Sequence, residues 1–544
     1  MTGDSKLQAH DASLAEVDDS NLPATAGSAI RARIRQFGPS YKWLLLGTML
    51  CGSMSTLLAA TTINVALPSI IGAFGLGQDQ AQWMSTAFLA ASTIAMLLNA
   101  WAMSAFGPGR TYICGMLLFI FGSLLGSISS TYETLILSRA MQGVAAGLLQ
   151  PMSMFMIFQT FADNRRGTAM GLYSVGVVLA PAFGPVLGGL AVDLSSWRLV
   201  FIITVPLAIL ATAMATIVMP GRDEDGHQQR PKLDWVGLVL ICITLVGLLS
   251  TISGGDRAGW HSNLTFAKII TVLVAGATFL WWESRHPFPA LNLKVFLHWQ
   301  FTSACLVIMM TGTAIYGSTY LVPIFVQLIQ GYSPTAAGIM MIPSGIAMVM
   351  GFPLAGRLSD ILDSRLLLGF GAFCFALSVW LLSGVASATP YWNIVLWLMI
   401  GRIGISFLMP PANTMAVRGV PPPLLASATG AASFVMQVGG SLGVTMLAVL
   451  LQNRTVFHHQ HLNAGIDETN VEFVYQHSLT MMTLQTDGLP FSEAFQRAFG
   501  SLASLLQTEA AILAFRDCFL VLSIAYLFIL TLIFLMPKPK TLVD

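Results

Sequence analysis

Charge is scarce in this sequence. Its 544 residues include 26 basic and 25 acidic side chains, 9% of the chain, where a soluble domain carries roughly 25%. So few charges cannot cover the surface of a water-soluble protein of this length, and a soluble fold is excluded. The formal net charge of +1 supplies no basic field for nucleic acid. Close cysteine pairs are missing as well. Cys51, Cys114, Cys242, Cys305, Cys374 and Cys518 lie in or beside apolar runs, so neither a disulfide framework nor a zinc site is indicated, and the thiols read as buried and inert. No G-x-x-x-x-G-K-[ST] string occurs, which excludes a phosphate-binding loop of the kind that drives ATP-powered motors. With no nucleophile–base constellation either, the chain reads as a non-enzyme that needs no cofactor. His458, His459 and His461 have metal-like spacing, but without nearby co-ligands they read as an exposed helix surface, and no metal is expected.

What is abundant is apolar sequence, with 55% hydrophobic residues. Runs of about 20 residues, enough to cross a ~30 Å hydrocarbon core as helix, recur at 43–67, 82–103, 112–129, 134–156, 168–190, 197–219, 234–253, 265–284, 300–329, 336–355, 366–384, 391–412, 425–451 and 512–535. They are continuously apolar rather than alternating, which indicates helices and not a barrel. The sequence therefore predicts an all-α polytopic membrane protein with 14 transmembrane helices. Of the 26 basic residues, eighteen fall in segments on one side when the amino terminus is placed inside. Basic residues favour the cytoplasmic side, so both termini are expected in the cytoplasm. Residues 452–511, about sixty in number, are then outside, and because stretches such as 491–509 have helical periodicity this segment is expected to fold as a helical hairpin.

Acids are missing from the middle of every proposed span. Glu133, Asp193, Asp234, Glu283 and Asp517 all lie at helix ends, and an intramembrane acid would be the default proton carrier. Two arginines, Arg139 and Arg402, do lie within spans. Each must face the protein interior or a water-filled cavity, because an arginine exposed to lipid is costly. Asn64, Tyr316, Tyr320, Gln327, Asn413 and Gln437 are further polar residues in apolar helices, and together with Arg402 they are candidates for the lining of a substrate cavity.

An internal repeat is faintly visible. Arg139, Gln142 and Gly143 precede Pro151, and Gly401-Arg402-Ile403-Gly404 precedes Pro410-Pro411, as expected of a transporter with two related halves. The fifth run contains Pro181 and then Gly184-Pro185-Val-Leu-Gly188-Gly189, a string of kinking prolines and small residues that lets neighbouring helices approach closely.

These motifs carry a resemblance. Gly184-Pro185-x-x-Gly188-Gly189, with Pro181, is similar to the antiporter signature of the major facilitator superfamily. Arg139-x-x-Gln142-Gly143 matches its fourth-helix motif, and Gly356-Arg357-Leu-Ser-Asp360 through Arg365 its cytoplasmic loop motif. The first-half copy of that loop keeps only Gly107 and Arg110. Over roughly residues 40–535 the chain resembles the 14-helix drug:proton antiporters of the EmrB/QacA type, in the EmrB-like branch.

The resemblance implies a major facilitator fold. Residues 1–40 would be a disordered cytoplasmic tail, 41–220 an N-terminal six-helix bundle, 221–298 two additional helices with linkers, and 299–544 a C-terminal six-helix bundle that includes the outer loop 452–511. It implies an inner-membrane multidrug exporter that moves amphipathic compounds against proton influx and works with a periplasmic adaptor and an outer-membrane channel. An exporter of an endogenous metabolite, such as a siderophore or a lipid-like molecule, and a passive facilitator are the rivals. One departure bears on coupling. The family usually carries an aspartate in the first helix, where this chain has Ala59. Arg139, with Glu133 as an acid at the outer side, is then the candidate coupling pair.

Overall fold

The computed structural model describes residues 28–161, 163–221, 234–287, 289, 291–417, 420, 425–463, 471–486 and 490–535. Among these, fourteen long helices follow one another, one for each apolar run: α1 Tyr41–Phe74, α2 Trp83–Phe106, α3 Pro108–Ser127, α4 Tyr132–Thr160, α5 Asp163–Leu194, α6 Leu199–Val218, α7 Trp235–Ala258, α8 Asn263–Arg285, α9 Trp299–Leu328, α10 Pro334–Ile361, α11 Ser364–Leu382, α12 Tyr391–Val417, α13 Leu425–Asn463 and α14 Phe491–Leu535. Twelve helices are long and apolar enough to cross a membrane, and α2 and α5 contain the shorter apolar stretches Trp83–Asn99 and Phe183–Leu194.

Local chemistry sets the helix ends. Gly75 (φ 64°) closes α1 in the left-handed conformation that glycine adopts at little cost, and Gly107 (φ 82°) separates α2 from Pro108, the first residue of α3. Side chains of Thr131, Asp234, Ser262, Ser333 and Asp363 accept hydrogen bonds from backbone N–H groups at the starts of α4, α7, α8, α10 and α11. Each such cap is worth about 1 kcal/mol.

Successive helices alternate in direction. The connections after odd-numbered helices lie on one face, here called the loop face, and those after even-numbered helices lie on the other, here called the tail face, where α1 begins. Bonds between connections hold the loop face together. Arg198 donates to the Ser129 carbonyl (3.0 Å), Gln330 to that of Thr389 (3.0 Å) and Arg516 to that of Ser383 (2.9 Å).

The buried apolar residues are distributed unevenly between the two faces. In the loop-face half, Ile63, Leu67 and Ile70 of α1, Met84 and Phe88 of α2 and Ala191 of α5 belong to one continuous core with Tyr320 and Phe325 of α9 and Phe515 of α14. In the tail-face half, the first six helices have a core of their own, built from Leu45, Met49, Tyr112, Met116, Leu149, Met156 and Ala211. Among the described residues, the first six and the last six helices thus share a core near the loop face, while near the tail face the first six have one of their own. The helix α7 lies across the seam between α2 and α13, where Leu245 and Leu249 join Ala90, Val438 and Leu442 and where Trp83 Nε1 donates to Ser253 Oγ (3.1 Å). Its neighbour α8 turns Leu264, Phe266, Leu273 and Val274 outward, as a helix facing lipid does.

Two sequence expectations need correction. The tail does not run to residue 40, because Ser28–Phe37 is helical and buries Ile30 and Ile34 beside Tyr41. Residues 1–27 lie outside the described residues. The described parts of segment 452–511 are helical as expected, but they do not form a hairpin set apart from the spans. They consist of α13 continuing to Asn463, a helix Val471–Thr486, and α14 starting at Phe491. At 1.5 Å per residue the 39 residues of α13 and the 45 of α14 measure roughly 58 and 67 Å, far more than the ~30 Å hydrocarbon core. Neither proline nor glycine interrupts 452–463 or 501–511, so nothing ends the helix where hydrophobicity ends.

Candidate transport pathway

Arg139 is fully buried, 1% exposed. It projects from α4 into the angle between three helices. Its Nε donates to the Met84 carbonyl of α2 (2.7 Å), and its Nη1 donates to the Ala59 carbonyl of α1 (3.1 Å) and to Gln142 Oε1 (2.6 Å). The Phe88 ring lies under the guanidinium at 4.6 Å, in cation–π geometry. Gln142 Nε2 passes the network on to Ser123 Oγ of α3 (2.8 Å). One arginine thus ties α1, α2 and α4 together, and through Gln142 also α3. Its Nη2 has no partner among the described residues. Gly143 brings α4 close to α2, where an added Cβ would collide with the Phe88 carbonyl.

The other member of the candidate coupling pair is not at this site. Helix α4 begins at Tyr132, so Glu133 sits in its first turn and is exposed. Six residues of helix rise, about 9 Å, keep its carboxylate from Arg139. The arginine is held by carbonyls and an amide instead of an acid, and the Ala59 carbonyl is among them.

The glycine string of α5 makes two interfaces. Gly184 and Gly188 face α1, where a Cβ on Gly188 would lie 2.6 Å from the Thr62 carbonyl oxygen and one on Gly184 would meet Thr61 Oγ1. Gly189 and Pro185 face α10: a Cβ on Gly189 would meet the backbone of Pro334 and Thr335, and one on Gly338 would meet the Pro185 carbonyl. Asp193 Oδ2 completes this contact by accepting from Thr335 N (2.9 Å). The side chain of Pro181 lies outside the described residues.

Three more hydrogen bonds cross between the first six and the last six helices. Gln327 Nε2 of α9 donates to the Val65 carbonyl of α1 (3.1 Å), Gln437 Nε2 of α13 to Ser92 Oγ of α2 (2.8 Å), and the hydroxyls of Thr86 and Thr445 are 3.1 Å apart. All lie at mid-depth or toward the loop face. Among the cavity candidates, Asn64 accepts from Ser85 (2.7 Å), Tyr316 lies against Gly440 of α13, and Tyr320 is fully buried. Arg402, 5% exposed, donates from Nη2 to Thr319 Oγ1 of α9 (2.8 Å). Asn413 is exposed near the tail-face end of α12, away from the others.

In the loop motifs, Gly107 forms the tight connection between α2 and α3, Arg110 and Arg357 are exposed, and Gly356 and Arg365 are half-buried. The side chain of Asp360 lies outside the described residues. Sequence reasoning missed Ser92, Thr86, Thr445 and Thr319, because a hydroxyl in a helix is commonly satisfied by its own preceding turn and leaves no signal. It also missed a charged cluster at the loop face, where Asp517 Oδ2 accepts from Arg454 Nε (2.5 Å) and lies 2.7 Å from His458 Nε2.

Comparison with known proteins agrees with this architecture. The multidrug export protein EmrB of Escherichia coli (strain K12) is 28% identical over 484 residues, covering 89% of this chain and 93% of its own. The lincomycin resistance protein LmrB of Listeria monocytogenes is 25% identical, covering 75% and 86%. A crystal structure of a bacterial homologue of the human lysosomal transporter Spinster superposes with a TM-score of 0.63 at 16% identity, covering 92% of this chain and 97% of that one, which extends the likeness of fold alone. The Major Facilitator Superfamily model matches residues 49–444, and the chain belongs to that superfamily.

Proposed function

We propose that the protein is a secondary active exporter of the bacterial inner membrane that moves amphipathic toxic compounds outward, driven by proton influx, with its loop face outside and both termini in the cytoplasm. The observation that carries this reading is the uneven core. Helices from the two halves share one apolar core near the loop face, whereas the first six keep a separate one near the tail face. Two halves that share a core at one face and, among the described residues, not at the other have the layout on which alternating access can run, with substrate held near mid-depth. The excess of basic residues in tail-face segments supports the orientation, and relatives named for multidrug export and lincomycin resistance support the cargo class.

In this reading Arg139 is the coupling residue and the α5 glycines form the sliding surface. The long extension of α13 and α14 is the docking element for a periplasmic adaptor that leads to an outer-membrane channel. Arg402, Gln437, Gln327, Tyr316 and Tyr320 belong to the substrate path. Ala59 favours one alternative, a passive facilitator, because no carboxylate accompanies Arg139. Substrate profiling in a strain lacking its own efflux pumps tests the cargo class. The expected result is higher inhibitory concentrations for several unrelated amphipaths. Protection against one metabolite and nothing else would contradict it.

A further inference from the structure

Arg402 and Arg139 occupy related places, on α12 and α4, yet their surroundings differ. Arg139 is cradled by two carbonyls, an amide oxygen and an aromatic ring. Arg402 has one bond, to Thr319 Oγ1, and its Nη1 has no partner among the described residues. It is also deeper: eleven residues into α12 is about 16 Å of rise from the loop-face end, near the middle of a ~30 Å core. No aspartate or glutamate lies in the middle of any span to balance it. A guanidinium stays charged and offers five N–H donors, and an uncompensated buried charge costs several kcal/mol.

The neighbouring contacts indicate the side from which a counter-charge would come. Gly401 and Gly404 press α12 onto α11, where a Cβ on Gly401 would lie 2.6 Å from Ser378 Oγ and one on Gly404 2.6 Å from the Gly371 carbonyl oxygen. That side is closed. The guanidinium turns instead toward Thr319 on α9, the helix that also bonds across to α1 through Gln327. Thr319 holds one nitrogen of the fork and leaves Nη1, itself buried, without an acceptor among the described residues.

We propose that Arg402, positioned by Thr319, is an anion-binding subsite, and that the preferred substrates are amphipathic acids whose carboxylate or similar monoanionic head binds there. The inference rests on the export reading and narrows it. Arg pairs with carboxylate oxygens through charge-assisted, often bidentate hydrogen bonds. A neutral head of the same shape forfeits that bond, and a cationic head is repelled.

The test uses three ligands with one apolar body, 4-octylbenzoate, 4-octylbenzamide and 4-octylbenzylammonium, titrated against the purified full-length protein in phosphatidylcholine nanodiscs. The expected order is benzoate tightest and ammonium weakest, with benzoate about tenfold or more ahead of the amide. Arg402→Gln should erase the benzoate preference, bringing benzoate to the level of the amide in the same variant, and Arg402→Lys, which keeps the cation, should preserve the order. A flat order in the unmodified protein, tightest binding of the ammonium, or an unchanged preference in Arg402→Gln would overturn the proposal. Should Arg402→Gln fail to fold, a flat order in Arg402→Lys would overturn it equally. Adding phosphatidylglycerol to the nanodiscs should leave benzoate binding intact, and competitive loss would assign Arg402 to a lipid headgroup instead. Binding is read with no gradient present, so a failure here leaves the export reading standing, and a failure of export leaves the head-group order readable.

Discussion

Arg139 Nη1 donates to the carbonyl oxygen of Ala59 at 3.1 Å, across the contact between α4 and α1. Position 59, where the resemblance implies an acid, therefore touches the buried cation through its backbone. A carboxylate placed on residue 59 would arrive beside a guanidinium that still has Nη2 without a partner. Ala59→Asp should therefore be tolerated and should steepen the pH dependence of uphill export. Arg139→Ala should collapse uphill export, and orphaning buried Gln142 should also cost about 1–3 kcal/mol of stability. Export rates at matched amounts of folded protein, measured over a series of pH values, decide this. Unchanged uphill export in Arg139→Ala would remove Arg139 from coupling.

Gly188 meets α1 with no room for a side chain, since its Cβ would lie 2.6 Å from the Thr62 carbonyl oxygen. Gly188→Leu should insert and fold yet lose transport, because the leucine would have to push α1 off α5. Membrane yield and thermal stability, read beside efflux, separate loss of transport from loss of protein. Normal efflux by a well-expressed variant would show that these helices need not stay in contact while they move.

Thr86 and Thr445 bring α2 and α13 together with their hydroxyls 3.1 Å apart. In a background without the six native cysteines, Thr86→Cys with Thr445→Cys should form a disulfide under mild oxidation and hold the loop-face seam shut. The expected result is a cross-linked species that binds ligand but does not export it, with activity returning on reduction. Full export by the cross-linked form would mean that this seam stays closed throughout the cycle.

The positions of the long helices were legible because a helix that crosses a membrane needs about 20 apolar residues whatever its neighbours are. The buried surroundings of Arg139 were not. Its partners are mainly carbonyls, which every residue has, so only the fold identifies Met84 and Ala59 as the acceptors. The place of α7 was equally hidden, since Leu245 and Leu249 look like any lipid-facing leucines until α2 and α13 are set beside them. The ends of α13 and α14 were misjudged for a different reason. Hydropathy marks where the membrane stops, but helix continuation is set by backbone propensity, and 452–463 contains no breaker.

The extension beyond the membrane gives two linked expectations. Met482, 61% exposed, replaced by cysteine should react with an impermeant reagent applied from outside, while Arg357→Cys should react only after permeabilisation. The opposite pattern would reverse the orientation. Replacing residues 464–500 with a short Gly/Ser linker should abolish co-purification of the proposed periplasmic adaptor, and equal recovery would contradict docking on this extension.

The most direct test of the central claim is transport by the purified protein in liposomes under an imposed pH gradient. With the loop face in the acidic compartment, the account predicts that an amphipathic substrate accumulates on that side above its equilibrium concentration, that dissipating the gradient abolishes the accumulation, and that Arg139→Ala eliminates it. Movement that only equilibrates the two compartments, or gradient-driven accumulation that survives Arg139→Ala, would contradict it.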